Sequence, residues 1–141
     1  MDIKKPVSNE RRAARLHAIA RGYVTEGLGK KNFEAIPYSE NVVLRAPIAP
    51  GGSTNPLSGR ETVRATWWAP LPDLVDEVEV VDSYVNEALS AVTVEFYCTL
   101  SHPACTLRIV DRFIVNEDGE ITGQENFFDP RDISHPGWRE E

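Results

Sequence analysis

One carboxylic acid interrupts an otherwise apolar strand face. In the stretch from Ala104 to Asn116, alternation puts Cys105, Leu107, Ile109, Asp111, Phe113 and Val115 on one side. Thr106, Arg108, Val110, Arg112 and Asn116 point the other way. An acid on the apolar side must find a donor, face a wet cavity or stay protonated, because uncompensated burial of its charge is very costly. A carboxyl in such a pocket has a raised pKa, which is what proton transfer near neutral pH requires. The bland alternative is an acid that anchors a backbone amide or pairs with an arginine across the sheet. On the last strand Gln124, Asn126 and Phe128 share a parity and line the same wall as Asp111. On the strand before, Val92, Val94, Phe96 and Cys98 face inward and Glu95 outward, a statement that one slip in register would reverse.

These residues need elements to hold them. Ser8 or Asn9 can cap a helix running to about Leu28, with Leu16, Ile19, Ala20, Tyr23, Val24 and Gly27 as its apolar stripe. A short second helix spans about Asn32 to Ile36, ended by Pro37, and a brief strand covers Val42 to Ala46. Pro47 to Leu57 is loop by composition. A Ser-x-x-Glu capping box at Ser58–Glu61 starts a third helix, which carries Val63, Trp67 and Trp68 and ends before Pro70. One tryptophan is expected inward and one toward the rim. From Leu74 the period becomes two, with strands near 75–87, 90–100, 104–116 and 120–129 and a turn at Glu117-Asp118-Gly119. Helices followed by long antiparallel strands make an α+β plan. Long strands under so few helices must curl, leaving a cone-shaped cavity whose walls include Val94, Phe96, Ile109 and Phe128.

The 141 residues fit one domain, 1–141, with 1–8 and 132–141 as tails. The hydrophobic content of 41% and charged content of 26% are those of an ordinary globular protein. Fifteen basic against twenty-two acidic residues give a net charge of −7, which argues against nucleic-acid binding. The basic residues near the N-terminus (Arg11, Arg12, Arg15) read as the wet side of a helix. No apolar run approaches a membrane span, and the N-terminal residues lack the apolar core of a secretory signal, so a cytoplasmic setting is expected. Cys98 and Cys105 would oppose each other in a hairpin turning at Ser101-His102, as a disulfide or, in the cytosol, as reduced core residues. Their spacing argues against a metal site. His102 reads as surface at a hairpin tip, His17 has no acid partner, and His135 belongs to the C-terminal tail.

Three segments carry a resemblance: Gly59-Arg-Glu-Thr-Val63, Ile109-Val-Asp-Arg-Phe113, and Asp118-Gly-Glu-Ile-Thr-Gly123 running into Phe127-Phe-Asp129. In order and spacing the chain resembles the nuclear transport factor 2-like superfamily, which includes ketosteroid isomerases, SnoaL-like polyketide cyclases and limonene epoxide hydrolases. The resemblance implies a cone-shaped α+β barrel, with three N-terminal helices on a curved, mostly antiparallel sheet. Asp111 matches the isomerases' protonated acid, which donates to a developing oxyanion. Their proton-shuttling carboxylate matches Ala46, before Pro47, and their first-helix tyrosine matches Val24, with Tyr23 one position away. Trp67 matches a tyrosine lining the isomerase cavity, and Asn126 matches an aspartate that activates water in the epoxide hydrolases. A single acid fits the cyclases best, which the resemblance implies work with one aspartate as general acid and base.

The expected activity is therefore proton transfer on a small apolar cyclic carbonyl compound, with Asp111, Tyr23 and Asn126 as the reacting and polarising groups. No metal or organic cofactor is needed for that chemistry. The rival expectation is a non-catalytic ligand-binding or oligomerisation module of the same fold. The resemblance also implies a homodimer through the outer sheet face, where Thr93, Tyr97, Arg108, Val110 and Arg112 point.

Overall fold

In a computed structural model of the chain, residues 4–134 are described. Helix α1 (Lys4–Gly22) runs on into a π-helical turn, Tyr23–Leu28. It starts at Lys4 rather than behind a Ser8 or Asn9 cap. Pro6 is no obstacle there, since the first turn's N–H groups have no intrahelical partner. Leu16, Ala20, Tyr23, Val24 and Gly27 of the expected stripe are buried, Ile19 is partly buried, and Leu28 joins them. Asn32 caps a 3₁₀ turn, Phe33–Ala35, its Oδ1 accepting from the Glu34 N–H at 3.2 Å. Gly27 is needed where this turn folds back, because a Cβ there would lie 2.9 Å from the Ile36 side chain.

Strand β1 (Tyr38–Arg45) begins directly after Pro37, earlier than the expected Val42. Past the loop, β2 (Leu57–Ser58) pairs with it through Val43↔Ser58 and Leu44↔Leu57. Ser58 is thereby held in the sheet, so the capping box does not form. Gly59, at φ 97°, turns the chain into α2 (Arg60–Thr62) instead. The helix continues as a second π turn, Val63–Trp68. Its wider winding brings both Trp67 and Trp68 to the buried side, where one had been expected at the rim. Trp68 packs on Phe33, with ring centroids 5.6 Å apart. A further turn, α3 (Leu71–Leu74), follows Pro70.

Strands β3 (Val75–Val85), β4 (Ala91–Ser101), β5 (Ala104–Val115) and β6 (Ile121–Phe127) complete one six-stranded sheet in the order β2-β1-β6-β5-β4-β3. Strand β1 runs parallel to β6, and every other neighbouring pair is antiparallel. Burial alternates residue by residue along β4 and β5. The helices cover the inner face of this curved, unclosed sheet, an α+β cone. Strands β4 and β5 close at Ser101↔Ala104, so Cys98 faces Leu107 and Cys105 faces Leu100. The cysteines are therefore offset rather than opposed, and both are free thiols. A shift of two residues keeps every side chain on its face, which is why the inward set matches expectation.

Arg12 is not the solvated residue expected of a wet helix face. Its guanidinium donates to the backbone oxygens of Leu89 (3.0 Å), Val115 (2.9 Å) and Asn116 (3.0 Å), clamping α1 across the strand ends. His17 Nδ1 lies 2.7 Å from Ser83 Oγ, which also accepts from Arg21 Nε at 2.8 Å, tying α1 to β3. At the other end of the chain, α4 (Arg131–Ser134) packs on β5, inside the expected tail. Residues 135–141, with His135, lie outside the described residues. Among the described residues no helix is long and apolar enough to cross a membrane.

Candidate functional site

Sheet register brings the site together. Across β5, Asp111 pairs with Val94 on one side and Asn126 on the other. Phe113 pairs with Gln124, which in turn sits beside Leu44 of β1. Asp111 is 2% exposed, and Asn126 and Gln124 are 3% each. A cavity of about 110 Å³ opens in front of the acid. Tyr23, Trp67, Asp111 and Asn126 form its polar end, with Phe96, Ile109 and Phe128 as walls. Leu71, Leu74, Leu100, Leu107 and Ile133 continue it toward the β4–β5 hairpin.

Two expected wall residues stand elsewhere. Val94 is fully buried beside Asp111 and does not line the cavity. Gln124 lies behind Asn126, one step further from the space. His102 is exposed, as expected, yet borders the cavity mouth, and Cys98 also lines the wall. Ala46, where the sequence resemblance placed the isomerases' base, is buried and carries no acid.

The two π turns each deliver one site residue, Tyr23 and Trp67, a placement such turns often serve. The Tyr23 ring packs on Phe113 with centroids 5.1 Å apart. Its hydroxyl is held well above its ordinary pKa, first by burial and then by the nearby Asp111 charge, with Gln124 and Trp67 opposing. The Trp67 Nε1–H approaches that hydroxyl but is buried without a well-formed hydrogen bond.

Tyr38 joins the site although the sequence reading passed over it. Its O–H donates to Gln124 Oε1 at 2.5 Å, and Gln124 Nε2–H donates to Asn126 Oδ1 at 2.8 Å. Burial, then Tyr23 and Asp111, push the Tyr38 hydroxyl far up. Tyr38 and Gln124 are both buried, on two strands that meet at the apolar centre. Only the parallel β1–β6 pairing, between chain ends, puts them side by side.

Burial raises Asp111 well above the ordinary carboxyl range, and burial is the sole resolved cause. The Cys98 thiol is likewise pushed up to about 12 by burial, then by Asp111. Burial therefore disfavours charge on the carboxyl, the two phenols and the thiol, which stand beside two amides. Such a set donates hydrogen bonds into an apolar space and favours a ligand with one oxygen acceptor. Among the described residues no group of three or more His, Cys, Asp or Glu could hold a metal ion.

The SnoaL-like domain family matches residues 20–124 of the chain. Solved structures share the fold at low identity. A Mycobacterium tuberculosis protein in complex with estradiol-17beta-hemisuccinate is 16% identical, with a TM-score of 0.67 over 83% of this chain and 95% of that one. A computationally designed 17-OHP binder is 20% identical, with a TM-score of 0.67 over 83% and 92%. A hypothetical protein with a ketosteroid isomerase-like fold from Catenulispora acidiphila, in complex with trimethylamine, is 15% identical, with a TM-score of 0.65 over 82% and 88%. No curated protein matches the chain.

Proposed function

Because the chain belongs to the SnoaL-like domain family, we propose that its pocket is an active site for proton transfer on a small apolar carbonyl compound. The observation that carries this reading is Asp111, a buried acid at the end of an apolar cavity with its pKa raised by burial. Asp111 gives its proton to the carbonyl oxygen, and the carboxylate left behind takes a proton from the adjacent carbon, yielding the enol. Return of a proton to a different carbon is isomerisation; loss of a neighbouring hydroxyl as water is dehydration. The Tyr23 O–H polarises the carbonyl, and Asn126, which also lines the cavity, helps to position it. A space of about 110 Å³ is smaller than the roughly 150 Å³ of a cavity that accepts benzene, which favours a ligand of one ring at most. The sequence-based expectation of a cyclic ligand is thereby narrowed to a monocyclic one.

A second reading, a ligand-binding module without turnover, is favoured by Ala46 at the base position. The outer face of the sheet supports assembly into a homodimer, with Val110 (37%), Ile114 (41%) and Phe127 (45%) exposed together. A cytoplasmic setting agrees with two free cysteines. Screening small cyclic ketones and enones for turnover, with Asp111→Asn as control, tests the leading reading. Loss of turnover in the variant with retained ligand binding supports it; full turnover in Asp111→Asn ends it. Ligand binding without turnover by either protein selects the binding module.

A further inference from the structure

Tyr38, Gln124, Asn126 and Asp111 form a chain whose direction follows from counting protons. The Tyr38 hydroxyl proton has Gln124 Oε1 as its acceptor at 2.5 Å. Gln124 must then turn its N–H toward Asn126, whose Oδ1 accepts at 2.8 Å. That same end of the Asn126 amide lies 2.8 Å from Asp111 Oδ1 and 3.3 Å from Oδ2. Two oxygens at 2.8 Å need a proton between them, and an ionised carboxylate has none to offer. With Asp111 protonated, its O–H supplies that proton and the chain is complete.

An opposite inventory fits the same positions. If Asn126 reverses, its Nδ2–H donates to an ionised Asp111. Gln124 must then reverse too, turning its oxygen to Asn126 and its N–H to Tyr38. The Tyr38 proton loses its acceptor in a fully buried place, a costly outcome. An amide's orientation follows its partners, so the far end of the chain decides what the near end presents to the acid.

We propose that Tyr38 and Gln124 are positioning residues that, by holding the Asn126 carbonyl toward Asp111, keep its carboxyl in the proton-bearing, donating form. Loss of that proton requires both amides to reverse. This concerns the free protein and goes beyond the proposed reaction, holding for an enzyme and a binder alike. The titratable groups facing Asp111 from the other elements are Tyr23 on the first π turn, Tyr38 on β1 and Cys98 on β4. All three are neutral when the acid is protonated, and no cation acts on it.

The test is a carbon-13 NMR titration of the Asp111 carboxyl in the wild type, Tyr38→Phe and Gln124→Leu, assigned with Asp111→Asn. The Asn126 side-chain amide is followed by nitrogen-15 in parallel. In either variant the amide is free to donate to the carboxylate, so the Asp111 midpoint should fall by about one pH unit or more, the effect of one hydrogen bond to a charged group. In the wild type the Asn126 amide signal should move with the same midpoint as the acid. Tyr38→Phe keeps the ring on Phe33, 5.6 Å between centroids, so it decides the matter even if Gln124→Leu fails to fold. A midpoint unmoved in folded Tyr38→Phe would overturn the proposal, because burial alone would then set the acid. So would a wild-type carboxylate that is ionised at neutral pH and accepts from Asn126.

Discussion

The two ends of the pocket are built on opposite principles. At the acid's end, strands from distant parts of the chain meet, and the side chains of Tyr38, Gln124, Asn126 and Asp111 are nearly fully buried and joined in one chain. At the hairpin end, Leu71, Leu74, Leu100 and Leu107 come from one short helix and one local hairpin, beside the exposed His102. The first end cannot shift without breaking hydrogen bonds in a low-dielectric interior, where each break is expensive. The second is held by apolar packing alone, which tolerates volume-conserving changes. Chemistry is therefore expected to be sensitive at the first end, and ligand size adjustable at the second.

The sharpest way to break this contrast is Asp111→Asn. Its loss of turnover on a ketone found by screening should be on the order of 10²–10⁴-fold, the usual contribution of a general acid–base. A comparable loss from Leu71→Ala, measured on the same ketone, would erase the distinction between the ends. Next in size is Phe113→Ala, which opens a void beneath Tyr23 and should cost about 3–5 kcal/mol in a denaturant titration.

A third outcome concerns pH. The folded protein keeps Asp111 protonated above 3.8, where the unfolded chain ionises it. The folded state thus binds the extra proton, and Asp111's contribution to stability, complete below that value, declines as pH rises through the window up to its raised folded pKa. The slope is about 1.4 kcal/mol per pH unit for one proton. Melting curves across pH should show this slope in the wild type and its loss in Asp111→Asn. The smallest effect is at the mouth. Leu71→Ala, half-buried, should cost about 1 kcal/mol or less while admitting larger ligands, read as a shift in the ring size that binds. Unchanged size selection would show that the hairpin end does not set it.

Much of the molecule was legible beforehand, for reasons particular residues make plain. The inner set of β5 followed from alternation alone, and a two-residue error in the hairpin register left it intact. Tyr23 fell on the helix stripe and Trp67 on the third helix. Local cues failed where tertiary pairing overrode them. Ser58 reads as a helix cap but is taken into β2; Trp68 reads as rim but is carried inward by a π turn. Arg12 reads as a solvated helix charge but holds three carbonyls more than seventy residues away in sequence.

The chain's own pattern determined that an acid would stand among apolar neighbours on an inner strand face, because a period of two needs no long-range information. It likewise determined the α+β plan, since runs of each period succeed one another along the chain. Tertiary structure alone decided which polar groups would meet that acid. Asn126 reaches it through the β5–β6 register, and Tyr38 reaches Gln124 through a parallel pairing of strands that lie far apart in sequence. Hydrogen bonds act over about 3 Å, and so short a reach is set by how strands are brought together in space rather than by the spacing of residues along the chain.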